Sequence, residues 1–402
     1  MQILTVDEIK QLEKETFLEL GLPSLLVMES AGRAVAEVVL RQFSDHLPKN
    51  ILIICGSGNN GGDGFVAART LHNLGHLVTV FCTKRVEHLS NDARFQAGAF
   101  QNVGGLVYPI PCLSAWEKLF ADKIAQSDLI IDALLGIGFQ KAYDMSDIAP
   151  VIEMINTAVC PVVAVDVASG INADTGEVSA QTVKAAITVT FQYPKLGHFL
   201  MPAMGYTGEL YVCDIGLVST SKTKLKREIL DMDFIGKLKK KEDIAPVLLR
   251  EDVLKKSDHK ELISQTFIDA NKQKLPVIID EAVLAVVVKD AALKSMLPEN
   301  SVSVLSGATA ANLLNVQGAG TDFSHIECAS ILSRALNMVI ILKDGRSVVA
   351  DHRGFVGLGP YVNAASSLFD SETLAIWAAQ GLNLTTMREH PEKKELIQKV
   401  NV

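Results

Sequence analysis

The stretch Asn50-Ile51-Leu52-Ile53-Ile54-Cys55-Gly56-Ser57-Gly58-Asn59-Asn60-Gly61-Gly62-Asp63-Gly64 decides how this chain reads. Ile51 to Cys55 is an unbroken apolar run, the pattern of a parallel strand buried on both faces. It closes on a glycine-rich segment, after which Phe65-Val66-Ala67-Ala68-Arg69-Thr70-Leu71 reads as a helix. Glycines let backbone N–H groups come close to an anion, and a helix N-terminus adds a favourable dipole. That chemistry suits a pyrophosphate. A turn that merely packs the helix on the sheet does not require two Asn and an Asp among five glycines.

Working outward, further apolar runs fall at His76–Phe81, Leu129–Asp132, Val162–Asp166 and Ala186–Phe191, with helical patterns between them. Such alternation implies an open parallel sheet with helices on both faces and a ligand at the carboxyl ends of the strands. Beyond Gly216 the pattern breaks. Ser219 to Lys241 is rich in Lys and reads as a connection. A second α/β region follows, with strand candidates at Pro276–Asp280, Ala285–Val288 and Met338–Leu342 and a late helix at Thr373–Gly381. The expected organisation is a domain over 1–217, a linker over 218–243 and a second domain over 244–402.

Composition excludes several classes. The 402 residues carry 38 Lys+Arg against 46 Asp+Glu, a formal net charge of −8 with 6% aromatics, which argues against a nucleic-acid surface. The opening Met1–Glu15 is acidic and amphipathic, unlike a secretory signal, and the long uncharged run Asn300–Thr321 is too polar to cross a bilayer. The six cysteines form no CxxC pair, so free thiols in a reducing, cytoplasmic setting are expected.

Gly56-x-Gly58-x-x-Gly61 satisfies the dinucleotide fingerprint. A dehydrogenase would place a carboxylate about 20 residues on, to hold the ribose. Phe81-Cys82-Thr83-Lys84-Arg85 stands there instead, without one. Asn59–Gly64 is similar to the signature loop of the YjeF N-terminal family, the NAD(P)H-hydrate epimerases. Leu25–Gly32 resembles that family's Met-Glu-Asn-Ala-Gly helix, with Ser30 for Asn. Asp132–Gly138 resembles its Asp-Ala-Leu-Leu-Gly-Thr-Gly segment, with Ile137 for Thr, and Asp166–Gly170 its Asp-x-Pro-Ser-Gly motif, with Ala168 for Pro. Thr190–His198 and Gly208–Gly216 complete a resemblance over about 1–217.

The resemblance implies a Rossmann-like three-layer sandwich with a mostly parallel sheet. Its substrate would be NADHX or NADPHX, a damaged cofactor with a hydroxyl beside the nitrogen of the reduced ring. Inverting that carbon, through an iminium or by ring opening, moves a proton on and off oxygen, which a positioned carboxylate can do. Asp166, at a strand end, is the candidate for contacting the ring, although strand-end Asp residues also cap turns. The resemblance further implies that Asn59, Asn60, Gly61, Gly62 and Asp63, with Gly136, Ile137, Gly138, Phe139, Gln140, Lys141 and Ala142, hold the dinucleotide. Asn60, Asp132 and Ser169 would hold a potassium ion, being the oxygen donors a hard cation prefers. Asp132 and Ser169 could instead cap helices. Lys195 could meet a phosphate or be solvated, and His198 reads as a local hydrogen-bonder. Lys84 and Arg85 fit either a 2′-phosphate or plain surface charge.

In many relatives this unit is fused to a ribokinase-like, ADP/ATP-dependent dehydratase, as in bifunctional repair proteins. The second region resembles a shortened, degenerate form of that domain, a smaller α/β unit resembling a truncated ribokinase-like fold. Pro276–Leu284 resembles its Asp-Ala-Asp-Ala-Leu strand end and Val339–Gly345 its Leu-Lys-Gly segment. Leu305–Asn312 replaces the Thr-Pro-His-Pro-Gly-Glu stretch, and Gly359–Ala364 through Glu372 lacks the glycines of the anion loop that should precede Asp370 or Glu372. The expectations are therefore a homo-oligomeric epimerase without dehydratase activity. A non-catalytic dinucleotide-binding scaffold shares the same pocket, and a bifunctional epimerase–dehydratase is disfavoured by the missing motifs.

Overall fold

The computed structural model describes residues 2–110, 113–139, 146–218, 227–229, 247–273, 275, 277–298, 301–316, 325–343, 346–352, 354, 356–361 and 397–400. The chain divides into one unit of Ile3–Lys224 with Lys394–Val402, and another of Leu225–Lys393 with Met1–Gln2.

The first unit is built on β1 (Asn50–Cys55), β2 (Leu77–Cys82), β3 (Leu106–Pro109), β4 (Leu129–Ala133), β5 (Val162–Val165), β6 (Ile187–Phe191) and β7 (Glu209–Cys213). They lie in the order β3-β2-β1-β4-β5-β6-β7, all parallel. β1 sits centrally, where strand order reverses between β1 and β4, and such a switch point opens a crevice at the carboxyl ends. Its side chains alternate between two cores. Ile51, Ile53 and Cys55 join one with Val35, Phe65, Leu71 and Phe100, while Leu52 and Ile54 join the other with Phe81, Phe120 and Ile152. An apolar strand buried on both faces is what this three-layer packing demands, at about 1.5–3 kcal/mol per fully buried aliphatic side chain.

The helices of the first core are α2 (Ser24–Gln42), α3 (Asn59–Asn73) and α4 (Asn91–Asn102); those of the second are α5 (Leu113–Gln126) and α6 (Ala149–Asn156). The amphipathic α1 (Val6–Lys14) starts on a capping box in which Thr5 and Glu8 satisfy each other's backbone N–H groups.

Two boundaries differ from expectation. The strand Ile397–Val400, expected in the second domain, pairs antiparallel with β7 and gives the first sheet its eighth strand. β7 would otherwise be an edge with unpaired backbone groups, and covering an edge is favourable. Arg227–Ile229, expected in the linker, pairs with Val356–Tyr361 in the second sheet.

The second unit is also α/β, with a seven-stranded sheet. Val247–Leu249, Val277–Ile279, Val302–Leu305 and Val339–Leu342 run parallel, and an antiparallel pair, Arg346–Ala350 and Val356–Tyr361, extends them. The expected strand at Ala285–Val288 is instead helical, within Glu281–Lys289. Asp280 caps that helix by accepting from the Ala282 N–H, and Val283, Leu284, Val287 and Val288 form its buried face. Short apolar runs do not separate strand from helix, and the cap decided this one. The expected helix at 373–381, together with Asp370 and Glu372, lies outside the described residues.

Candidate functional site

A cavity of about 480 Å³ opens at the carboxyl ends of β1, β4 and β5. Asn59, Asn60, Asp63, Gly136, Ile137, Gly138, Phe139 and Asp166 all line it. Gln140, Lys141 and Ala142 lie outside the described residues.

The glycines of the loop divide by task. A Cβ on Gly56 would stand 1.9 Å from the Leu134 carbonyl oxygen, and one on Gly61 would stand 2.0 Å from that of Gly56. Both let α3 sit tightly over the switch point, so much of the glycine pattern serves packing. Gly61 and Gly62 are buried there and are not among the residues that line the cavity. Gly58 has nothing near its missing side chain. It caps α3 without a side-chain hydrogen bond, and the first N–H to turn back is Gly62, onto the Gly58 oxygen at 3.2 Å. Among the described residues the N–H groups before it stay open at a helix N-terminus, the geometry that receives a phosphate.

Asp132 and Ser169 lie behind the cavity wall, fully buried. Ser169 Oγ donates to Asp132 Oδ1 at 2.7 Å and its N–H to Oδ2 at 2.9 Å, while Leu134 N–H reaches Oδ1 at 3.2 Å. Burial raises the Asp132 carboxyl to about 6, against these hydrogen bonds, which lower it. Asn60 Nδ2 is buried without a partner. Turning the amide over would put its oxygen in that place, the donor a cation takes. A Cβ on Gly136 would lie 2.8 Å from Asn60 Oδ1, so glycine is required beside it. The oxygen donors and the orphaned amide fit a hard monovalent cation.

Asp166 has φ +67°, a left-handed backbone that costs a non-glycine residue about 1 kcal/mol or more. It is pinned at several atoms. Its N–H donates to Val189 O at 2.7 Å, its carbonyl faces His198 Nε2 at 3.1 Å, and its Oδ1 accepts from Thr190 Oγ1 at 3.0 Å and from the Lys195 ammonium. Lys195, only 1% exposed, also donates to Thr190 Oγ1 at 2.8 Å and Phe191 O at 3.2 Å. It is therefore not a solvated lysine but the counter-ion of Asp166, and it too lines the cavity. Among the described residues nothing hydrogen-bonds Asp166 Oδ2, which leaves one oxygen for the cavity that this residue lines.

His198 is local structure, as expected. Lys195 N–H donates to its Nδ1 at 3.2 Å, so the proton sits on Nε2 and points at the Asp166 carbonyl. Burial first, then the Lys195 charge, lowers its pKa to about 3 and keeps the ring neutral. Lys84 and Arg85 are exposed and do not line the cavity. Sequence reasoning missed Glu13, which α1 carries into the cavity wall. Only its place on a strongly amphipathic helix hinted at a one-sided environment.

The fold and site define an α/β protein with a dinucleotide-type switch-point crevice and a buried acid–lysine pair. The family described as YjeF-related protein N-terminus matches residues 24–197. A NAD(P)H-hydrate epimerase from Lentilactobacillus buchneri is 36% identical over 217 residues, 54% of this chain and 95% of that protein. A bifunctional NAD(P)H-hydrate repair enzyme from Moorella thermoacetica is 42% identical over 219 residues, of which the match spans 41% of that longer protein's length. The chain belongs to the YjeF-related family. The crystal structure of an ADP/ATP-dependent NAD(P)H-hydrate dehydratase from Bacillus subtilis gives a TM-score of 0.18 at 11% identity, over 83% of this chain and 78% of that one, too slight a likeness to assign the second unit.

Proposed function

We infer that the first unit is an NAD(P)H-hydrate epimerase, an isomerase that interconverts the R and S forms of hydrated NADH or NADPH without redox change. The observation that carries this reading is Asp166, a strained, buried carboxylate that lines the cavity with one oxygen tied to Lys195 and the other without a hydrogen bond among the described residues. The open N–H groups of α3 and the segment Gly136–Phe139 take the diphosphate, which directs the nicotinamide end toward Asp166. The neutral His198 holds the Asp166 backbone carbonyl, and the β6 hydroxyl of Thr190 holds the carboxylate. Asn60, Asp132 and Ser169 would hold potassium, whose charge offsets that of the diphosphate and of the Asp132 carboxylate.

The second unit is read as a degenerate dehydratase without activity. Supporting this, Glu281 already accepts from Ser306 N–H at 3.0 Å and so places a carboxylate at the start of the helix Gly307–Val316, where a nucleotide phosphate would need donors. The protein is proposed to be a cytoplasmic homo-oligomer that binds neither nucleic acid nor membrane; no described helix is long and apolar enough to cross one. Exchange between R and S hydrates, followed by chromatography or NMR, tests the main reading. The wild type should accelerate it over the spontaneous rate and Asp166→Ala should not. A wild type no faster than buffer leaves only a non-catalytic binder.

A further inference from the structure

The carbon that epimerises has two faces. If water leaves from one and returns to the other, the acid that assists departure on the first face cannot deprotonate the water arriving on the second. Running the reaction in both directions then needs two groups, each able to give and take a proton. Asp166 is one. We propose that Asp63, on the second turn of α3, is the other catalytic acid–base group of this reaction. The inference rests on the epimerase reading above.

The observation that singles out Asp63 is its lack of partners. It is 9% exposed, it lines the same cavity as Asp166, and among the described residues its carboxyl makes no hydrogen bond. A buried carboxyl without a partner is costly, and the cavity is where a partner would arrive. Asp63 and Asp166 stand on different elements, at the start of α3 and the end of β5, with the cavity accessible to both. The ammonium that could neutralise Asp63, that of Lys195, is already engaged by Asp166, Thr190 and Phe191.

Burial and the charges around Asp63 favour its protonated form. Burial, then Asp166, then Glu13 push its carboxyl well above the usual range, and only Lys195 pulls the other way. Glu13 is itself raised by burial and by Asp166, against Lys195 and Lys10. Cys55, packed below, is an uncharged thiol whose pKa is raised by burial, and Asp92 at the cavity wall is engaged by Ser24 Oγ. The step balances without any outside reagent. Asp63 gives its proton to the ring hydroxyl, the C–O bond breaks with its electron pair leaving as water, and the ring-nitrogen lone pair forms the iminium. Water then adds to the opposite face, its oxygen lone pair making the new C–O bond. The iminium electrons return to nitrogen and Asp166 takes the proton. The opposite epimer runs the sequence in reverse, or solvent returns the proton to Asp63.

The experiment uses the full chain with purified R and S hydrates, and ADP-ribose as a probe that lacks the nicotinamide. Asp63→Asn should lower kcat about 10²–10⁴-fold, with ADP-ribose affinity held within about threefold, which also certifies the fold. A kcat near wild type with ADP-ribose binding lost would overturn the proposal and make Asp63 a dinucleotide ligand only. A wild type that shows no exchange sinks the epimerase reading itself, whereas an active wild type with an equally active Asp63→Asn sinks this inference alone.

Discussion

Replacing Lys195 by Met tests the buried pair on which the site depends. The substitution keeps the side chain's length and apolar stem while removing the charge, so the cavity term is small. What it leaves is Asp166, with its side chain 9% exposed, holding one hydroxyl donor, Thr190, where it had a hydroxyl and an ammonium. Removing one partner of a buried ion pair typically costs ~3–5 kcal/mol, because the other charge stays behind unpaired. For a unit of 150–250 residues that is roughly 6–20 °C in melting temperature. Native-state hydrogen exchange at the β5 and β6 amides reads the loss in the unit that carries it. Adding Asp166→Asn should recover much of it, since the double variant strands no charge, and this non-additivity is the signature of direct coupling. A loss under about 1 kcal/mol, the range of an exposed pair, with R/S exchange intact and additive effects in the double variant, would refute the claim that this pair organises the site.

Two further outcomes follow from the loop and from His198. Gly56→Ala should destabilise by about 1–3 kcal/mol and abolish ADP-ribose binding, because the new Cβ would stand 1.9 Å from the Leu134 oxygen, while Gly58→Ala, with open space around it, should fold normally; calorimetry and titration of ADP-ribose check both. An unfolded imidazole titrates near 6.5, at about its usual value, whereas folded His198 holds at about 3. Between those values the unfolded chain binds a proton that the fold refuses, so the stability from this group is full above pH 6.5 and drains toward pH 3, at up to about 1.4 kcal/mol per pH unit. Asp132, raised to about 6, works in the opposite sense, losing stability as pH rises through that value. Comparing wild type with His198→Gln by denaturant titration across pH 4–7 isolates the histidine's slope, and identical slopes would contradict its burial as a neutral ring.

Much of the first unit was legible because its strands are apolar on both faces. Ile51–Cys55 has one reading, and the glycines after it announce the turn. Asp132 and Asp166 were visible as polar residues ending such runs. Lys195 was not: beside Pro194 it looks like any surface lysine, and only the fold brings it to Asp166 from 29 residues away. Glu13 is one acid among several on an amphipathic helix, and nothing local marks which of them faces inward. Gly61 and Gly62 share a motif with residues that line the cavity, but tight packing of α3 accounts for them. In the second unit Ala285–Val288 misled because four apolar residues suit strand and helix equally, and the deciding signal was the single carboxyl of Asp280.

The strand at Ile397–Val400 has a consequence for how the protein is made. During synthesis every strand of the first sheet up to β7 emerges long before the segment that shields β7, so a half-finished chain carries a sticky margin while the second unit is still being translated. The same holds for any fragment cut at Leu217: its β7 would offer bare backbone donors and acceptors to its neighbours, and self-association in such a fragment would report a missing neighbour strand rather than a native assembly.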